Sequence, residues 1–497
     1  MAEQEQQKKV ERIVKQVLLW FGIGLLVVVL IGALCLQAPW KVTVPLLVTV
    51  LACVTLPEKL RQWYWLSVAM FFVALAVWVF VPDGDSSQWR PYTFDDEMTA
   101  LEAEFSIPDE ENAATIYNAL LQDYGPAAMK LSFLNRGLKT LTIQQLWLSE
   151  QHPELAKWVR QRRALIAELI EAAQMEKCHF RKSLDFVITD EMRVDRYPAL
   201  RHWATLLLRA ANNDVAEGRP DRAVAEYTCV LRMADHLYRQ QTMVDFLVGF
   251  GLEGICLLPL NRFVIEGHPS EDQLLRVCAS FNSLENNWSS DFHECLEYDK
   301  LFMKNLFCTF AYEVNPQGQI RVSRNPAAAI RPGLARRPLP QDYWEKTSSK
   351  ASALLASLFF PSTPQEVTEL IDELYEKYHV MAEPGFNWQK PAPEPAPCFR
   401  LNPRFMLTLF THTTRRLYRP FRGTYFRQLT LRRGSRLLPA IREYRMEHDS
   451  WPPDLDAIES AAPPEAFIDP VTDARFAYKN HGQYFSLKGQ LTDIWPK

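Results

Sequence analysis

Residues 14–36 read VKQVLLWFGIGLLVVVLIGALCL, and two further apolar runs follow at residues 40–56 and 63–81 before the chain turns polar for the rest of its 497 residues. At 1.5 Å per residue the first run makes roughly 35 Å of helix, enough to span a bilayer. Lys15, near its start, is its one charged residue. A cleavable signal has an apolar core of about 7–15 residues and is not followed by two more spans. Residues 14–81 are therefore expected to form a three-helix transmembrane anchor behind a short cytoplasmic tail, residues 1–13.

Orientation follows from the basic residues beside the spans. The leading tail carries Lys8, Lys9, Arg12 and Lys15, the first connector only Lys41, the second Lys59 and Arg61, and residues 82–112 only Arg90. Basic flanks stay on the cytoplasmic side, so the N-terminus is expected inside and residues 82–497 extracytoplasmic, in a multi-pass membrane protein. No ionisable residue lies in the middle of a span. That argues against a transporter or channel, which needs such residues.

Beyond the anchor the pattern is mainly helical. Residues 82–112 hold ten acids against Arg90, as expected of a solvated linker or helix face. From residue 113 the 3.6-residue period takes over, with Ala113, Ile116, Tyr117, Leu120 and Leu121 on one face. It returns with Trp158, Leu165, Ile166, Leu169, Ile170 and Ala173, and with Leu200, Ala204, Leu207, Leu208 and Ala211. Gly218, Arg219, Pro220 and Asp221 then read as a stop and restart, followed by Ala223, Tyr227, Val230, Leu231, Ala234 and Leu237 on the next helix. The pair resembles a tetratricopeptide hairpin. No second copy recurs at a period of about 34 residues, so a plain antiparallel helix pair is the reading.

Periodicity lapses at residues 314–345, a Pro- and Arg-rich excursion, resumes as a helix at 364–378, and gives way to a Pro-rich spacer at 381–403. The domain plan is thus a helical domain at 113–380, the spacer, and an Arg-rich helix with a C-terminal element at 404–497.

No catalytic, cofactor or metal residue emerges. Gly249, Gly251 and Gly254 spell GxGxxG, but inside a continuous apolar helical run rather than after a strand, so close helix packing is expected instead of a nucleotide. His293, Glu294, Cys295 and Glu297 lack a third ligand at metal-binding spacing and read as a polar helix face. Cys178 and His179, being adjacent, do not face each other. The chain contains no CxxC pair, and its seven cysteines beyond the anchor are expected to be buried free thiols. Residues 400–442 hold eleven arginines, no lysine and no acid. Outside the cytoplasm nucleic acid is a poor partner for them, and pairing within the domain or with lipid headgroups is the expectation, with the acidic stretch at 83–111 as an internal counter-charge.

The tail reads REYRMEHDSWPPDLDAI, IDPVTDARFAY and GQYFSLKG. Asp469 and Pro470 begin a turn, residues 475–479 and 483–488 alternate as strands, and Asn480, His481 and Gly482 close a hairpin that packs its aromatics on the preceding helix. Residues 434–497 resemble the end of type II secretion major pseudopilins and, more closely, a tail shared by uncharacterised bacterial membrane-anchored proteins. The resemblance rests on Tyr444, Arg445, Trp451, Pro452, Leu455, Asp469, Pro470, Tyr478, Tyr484, Ser486, Leu487 and Gly489. It extends more loosely to the helical middle. It implies a small α+β pseudopilin-like element, a place in a bacterial inner membrane and a role among envelope proteins, related to secretion or pilus-like assemblies. The chain departs from pseudopilins in having no prepilin cleavage motif, three spans for one, and no Asp-Gly-rich calcium loop near Asp493. Two functions remain open: an envelope scaffold or interaction protein, and an extracytoplasmic hydrolase whose acids and histidines converge only in the fold. A deep cleft of acids or histidines would favour the second, and a polar-rimmed apolar groove the first.

Overall fold

The computed structural model describes residues 89–180, 191–240, 242–282, 284, 286–322, 363–383 and 403–496. The expected anchor at 14–81, the cytoplasmic tail and nearly all of the Pro-rich spacer lie outside these residues. The described chain is mainly helical with small antiparallel sheets, as the periodicity predicts.

It divides into two compact units. One comprises Asp96–Asp299 and Leu417–Lys497 with a short piece at Ala382–Gly385; of the other, residues 89–95, 300–322, 363–381 and 403–416 are described. The helices are α1 (Asp95–Glu104), α2 (Ala113–Asp123), α3 (Arg136–Gln144), α4 (Pro153–Arg160), α5 (Arg163–Gln174), α6 (Glu191–Ala216), α7 (Pro220–Tyr238), α8 (Met243–Glu266), α9 (Glu271–Asn282), α10 (Trp288–Ala311), α11 (Pro364–His379) and α12 (Pro403–His448).

In the larger unit α7 is the hub, packed against α5, α6, α8 and α9. Its restart is set by local chemistry. Gly218 adopts φ 72°, which glycine reaches without strain, and Pro220 supplies a first helical residue that needs no N–H partner. The apolar face expected at Ala223, Tyr227, Val230, Leu231, Ala234 and Leu237 is fully buried. Glu226, Asp235 and His236 are buried as well, so α7 is enclosed on several sides rather than amphipathic. Its neighbour α8 is the one described helix long and apolar enough to cross a membrane, at a mean hydropathy of 1.8 over its most apolar window. That window is 61 % buried, which makes α8 a core helix here. Gly249 is where α8 meets α7: a Cβ there would stand 2.7 Å from the Tyr238 ring.

The acidic stretch is more ordered than a linker. Its described part forms α1, with Met98 buried, and a 3-10 turn at Asp109–Glu111. The Asn112 side chain, not the acids, caps α2 by accepting from Ala114 N at 3.0 Å.

The C-terminal element follows α12. β4 (Ile468–Asp469) pairs with β5 (Ala474–Arg475), and β6 (Ala477–Asn480), β7 (Phe485–Lys488) and β8 (Asp493–Trp495) form an antiparallel sheet. The predicted hairpin is present with Tyr478 opposite Leu487, and Gly482 takes φ 81° in its turn. Residues 474–475 belong to the other small sheet, however, and β8 carries no alternating signal in the sequence. The sheet packs on α12 through missing side chains. A Cβ on Gly434 would lie 2.6 Å from Ile494, and one on Gly489 2.4 Å from Thr430. Trp451 closes the far edge, its indole N–H donating to Gln483 O at 3.1 Å and its ring meeting Phe485 edge-on.

The smaller unit contains a sheet of β1 (Arg90–Pro91), β2 (Tyr312–Val314) and β3 (Ile320–Val322). The β2–β3 hairpin falls where a structureless excursion is expected. Asn315 Oδ1 accepts from Gln317 N and Gln319 N and Gly318 sits at φ 77°, so turn chemistry rather than apolar period builds it. The helix expected at 364–378 is α11, capped by Thr363 and tied to α10 by Lys304–Asp372 at 2.7 Å.

Candidate functional site

Between α5 and α9, over the outer face of α7, runs a furrow of about 360 Å³. It exists because α7 presents Ala225 and Thr228 there, one turn apart and too short to fill the space between the flanking helices. Ala173, Val224 and Ala279 complete an apolar floor, and Arg232 and Arg276 stand at the polar rim. The two arginines differ. Arg276 is paired with Asp221 and with Asp272 at 3.2 Å. Among the described residues the nearest carboxylate oxygen to Arg232 is Asp235 Oδ2 at 3.9 Å, outside hydrogen-bond length, so Arg232 is the cation with capacity for a partner. Periodicity marks the buried faces of these helices but carries no sign of the furrow, which depends on which helices α7 separates.

A second construction is the extended segment after α5, held by buried side chains. Ala113 N bonds Lys177 O at 3.0 Å. Asn112 grips His179 twice, through Nδ2 to His179 O and Oδ1 from His179 N, both at 2.9 Å. Gln240 accepts from Phe180 N and donates to Cys178 O at 2.7 Å. His236 Nε2 meets Met175 O at 2.9 Å while the Tyr117 hydroxyl lies 3.2 Å from Nδ1. Burial pushes the His236 imidazole down to about 4, so it is neutral, with Nε2–H donating to the carbonyl and Nδ1 accepting from tyrosine.

The buried acids hold helices together. Asp214 takes both Nη2 bonds of Arg163, at 2.9 and 3.0 Å, and a further pair from Arg219, while Arg163 Nη1 reaches Glu226 Oε1 at 2.5 Å. Burial and the neighbouring Asp214 charge push the Glu226 carboxyl up to about 8, and its second oxygen has no partner among the described residues. Deeper still, Arg432 of α12 forms a two-pronged pair with Glu253 of α8, both contacts at 2.6 Å, and both side chains are at most 2 % exposed. The Tyr238 hydroxyl donates to the same carboxylate at 2.5 Å, and Arg432 Nη1 donates to Leu284 O and Asn286 Oδ1. Burial works against the Arg432 charge, but Glu253 outweighs it and holds the guanidinium firmly protonated.

The residues singled out in the sequence fall as follows. Gly249 packs closely, as the helical reading of GxGxxG expects, while a Cβ on Gly251 would meet open space. On α10 Cys295 is buried, His293 and Glu294 are exposed and Glu297 is half-buried, so the thiol and the polar side chains face apart. Cys178 and His179 likewise do not converge: the imidazole partner is Glu102, at 2.9 Å. Cys178, Cys229, Cys256, Cys278, Cys295 and Cys308 are free thiols, and burial pushes them up. Of the arginine stripe, Arg432, Arg433, Arg436 and Arg442 bond within the unit, to Glu253, Ile468 O, Asn282 Oδ1 and His268. For these four the partners are not the acidic stretch, whose Glu111 and Glu102 pair with Lys177 and His179. Asp493 lies 3.5 Å from Lys488, a contact for its carboxylate among the described residues.

Compared with family models, with curated proteins and with solved structures, the chain matches none.

Proposed function

We propose that this chain is a membrane-anchored cell-envelope scaffold: residues 14–81 hold it in the bilayer, residues 82–497 lie outside the cytoplasm, and the helical unit binds another envelope protein along the α5–α7–α9 furrow. The observation that carries this reading is the furrow itself, a polar-rimmed apolar groove whose one under-partnered charge is Arg232. Its occupant is a short segment with small apolar side chains and an acid opposite Arg232, matched to the floor of Ala225, Thr228 and Ala279. The buried acids that a hydrolase would bring together are engaged by arginines and tyrosines instead, supporting a framework role. The pseudopilin-like tail is the second surface of this scaffold and connects the reading to secretion or pilus-like assemblies.

The test is crosslinking and co-purification from membranes with the parent chain and with Arg232→Glu. The expected result is a discrete envelope partner that is lost in the variant while the fold is retained. Recovery of no partner, together with hydrolase activity in a substrate screen, would sink the scaffold. A C-terminal reporter active only in the cytoplasm would overturn the orientation.

A further inference from the structure

The pinned segment after α5 forms one wall of a separate cleft of about 310 Å³, with Lys177, His179 and Arg239 on that side and Phe105, Ile107 and Pro108 opposite. His179 is only 5 % exposed. Its backbone N and O are both fixed by Asn112, and its Nε2 is fixed by Glu102 at 2.9 Å, so the ring is oriented before anything binds. With Nε2 engaged, Nδ1 is the ring nitrogen left for a molecule in the cleft. The Phe105 ring, 6.2 Å from the imidazole between centroids, gives the cleft a flat apolar side.

Its cations are Lys177 and Arg239. Lys177 and Arg239 have side chains 54 % and 47 % exposed, and their partners are Glu111 at 2.7 Å and Asp235 at 3.2 Å. The Lys177–Glu111 pair is wet on both sides and weak, so Lys177 can turn to a ligand at little loss, while Arg239 keeps the buried Asp235 through Nη2 and offers its other donors. Glu104 is an exposed acid among the lining residues. Arg239 stands at the C-terminus of α7, where bare carbonyls would repel an anion. The last carbonyls are already used: Asp235 O accepts from Arg239 N, Leu237 O from Gln240 N, and His236 O from the Gln240 side chain.

We infer that this cleft binds a small molecule with an anionic group and a flat apolar body. The anion lies between Arg239 and Lys177, the body rests on Phe105 and Ile107, and His179 Nδ1 hydrogen-bonds to it. A carboxylate and a phosphate monoester share this chemistry. Nothing in the inference depends on the partner furrow, which lies elsewhere on α7.

The experiment uses the intact purified chain labelled with ¹⁵N-histidine, the His179 signal being the one perturbed in Glu102→Gln. Phenyl phosphate and benzoate are titrated in turn, with inorganic phosphate as the third arm. The expected result is a saturable shift of the His179 Nδ1 signal with phenyl phosphate or benzoate, whichever of the two is the tighter naming the anion. Lys177→Gln, which removes only a pair exposed on both sides, should weaken that binding at least fivefold. Absence of any His179 response to both aromatic probes at millimolar concentration overturns the inference, as does affinity unchanged by Lys177→Gln. Inorganic phosphate binding as tightly as phenyl phosphate would remove the role given to Phe105 and Ile107.

Discussion

In the helical hub, Glu253 finds Arg432 179 positions along the chain, and Arg163 finds Asp214 51 positions away. In the C-terminal element, Asp469 accepts from Val471 N two residues on and from Gln490 N 21 residues on. Both regions use buried carboxylates as fasteners, but the hub joins one helix to another while the tail ties a turn to its own sheet. Loss of a hub fastener should therefore be felt by the whole unit, and loss of a tail fastener locally. The two meet on α12, whose Arg432 faces the hub and whose Thr430 and Gly434 face the sheet.

The largest effect is expected at Arg432. Arg432→Met leaves the buried Glu253 carboxyl stripped of both short contacts, which costs about 3–5 kcal/mol. Denaturant unfolding should lose that amount globally, with the tail unfolding at the same midpoint as the hub. Replacing Glu253 by Gln in the same chain should restore part of it, since no unpaired charge is then buried. A tail that keeps its own midpoint in Arg432→Met would break the idea that α12 couples the two regions.

This contrast also explains what the sequence discloses. The faces of α5, α6 and α7 are legible because apolar burial repeats every 3.6 residues whatever lies opposite. The β6–β7 hairpin is legible because Asn480, His481 and Gly482 write a turn locally, and Trp451, Tyr478 and Leu487, quoted for the pseudopilin resemblance, prove to be packing residues of this element. Gly249 and Gly251 lie two residues apart on one helix, yet a Cβ at the first would strike Tyr238 and one at the second would meet open space. That difference, like the Arg432–Glu253 pair, the His179–Glu102 pair and the furrow beside Arg232, depends on which helix is the neighbour. Periodicity names a face and not its partner.

A second test of the hub uses pH. The Glu226 carboxyl is raised to about 8 by burial and by Asp214, above its ordinary value of 4.5. The folded protein therefore holds a proton there that the unfolded chain has released. The stability this contributes is whole below about 4.5 and is lost as pH rises through about 8. Glu226→Gln cannot ionise, so its stability should stay level across that window while the parent's falls by about 1.4 kcal/mol per pH unit. Denaturation midpoints of both proteins at pH 5, 7 and 9 check this. Parallel pH profiles would show that Arg163 keeps Glu226 ionised throughout.

The smallest effect is expected in the tail. Asp469 is 2 % exposed, and its oxygens accept from Val471 N at 3.0 Å, Gln490 N at 2.7 Å and the Thr430 hydroxyl at 3.2 Å. Asp469→Ala leaves these donors without an acceptor, at a cost of about 1–3 kcal/mol. Because the bonds close a turn and fix the strand end at Gly489 against α12, the loss should surface as faster amide exchange at Val471 and Gln490, with the protection of α7 and α8 unchanged. Asp469→Asn keeps one acceptor oxygen and should recover part of the protection at one of the two amides. If α7 exchanges faster as well, the tail is a structural part of the hub, and the local character of its fastener is refuted.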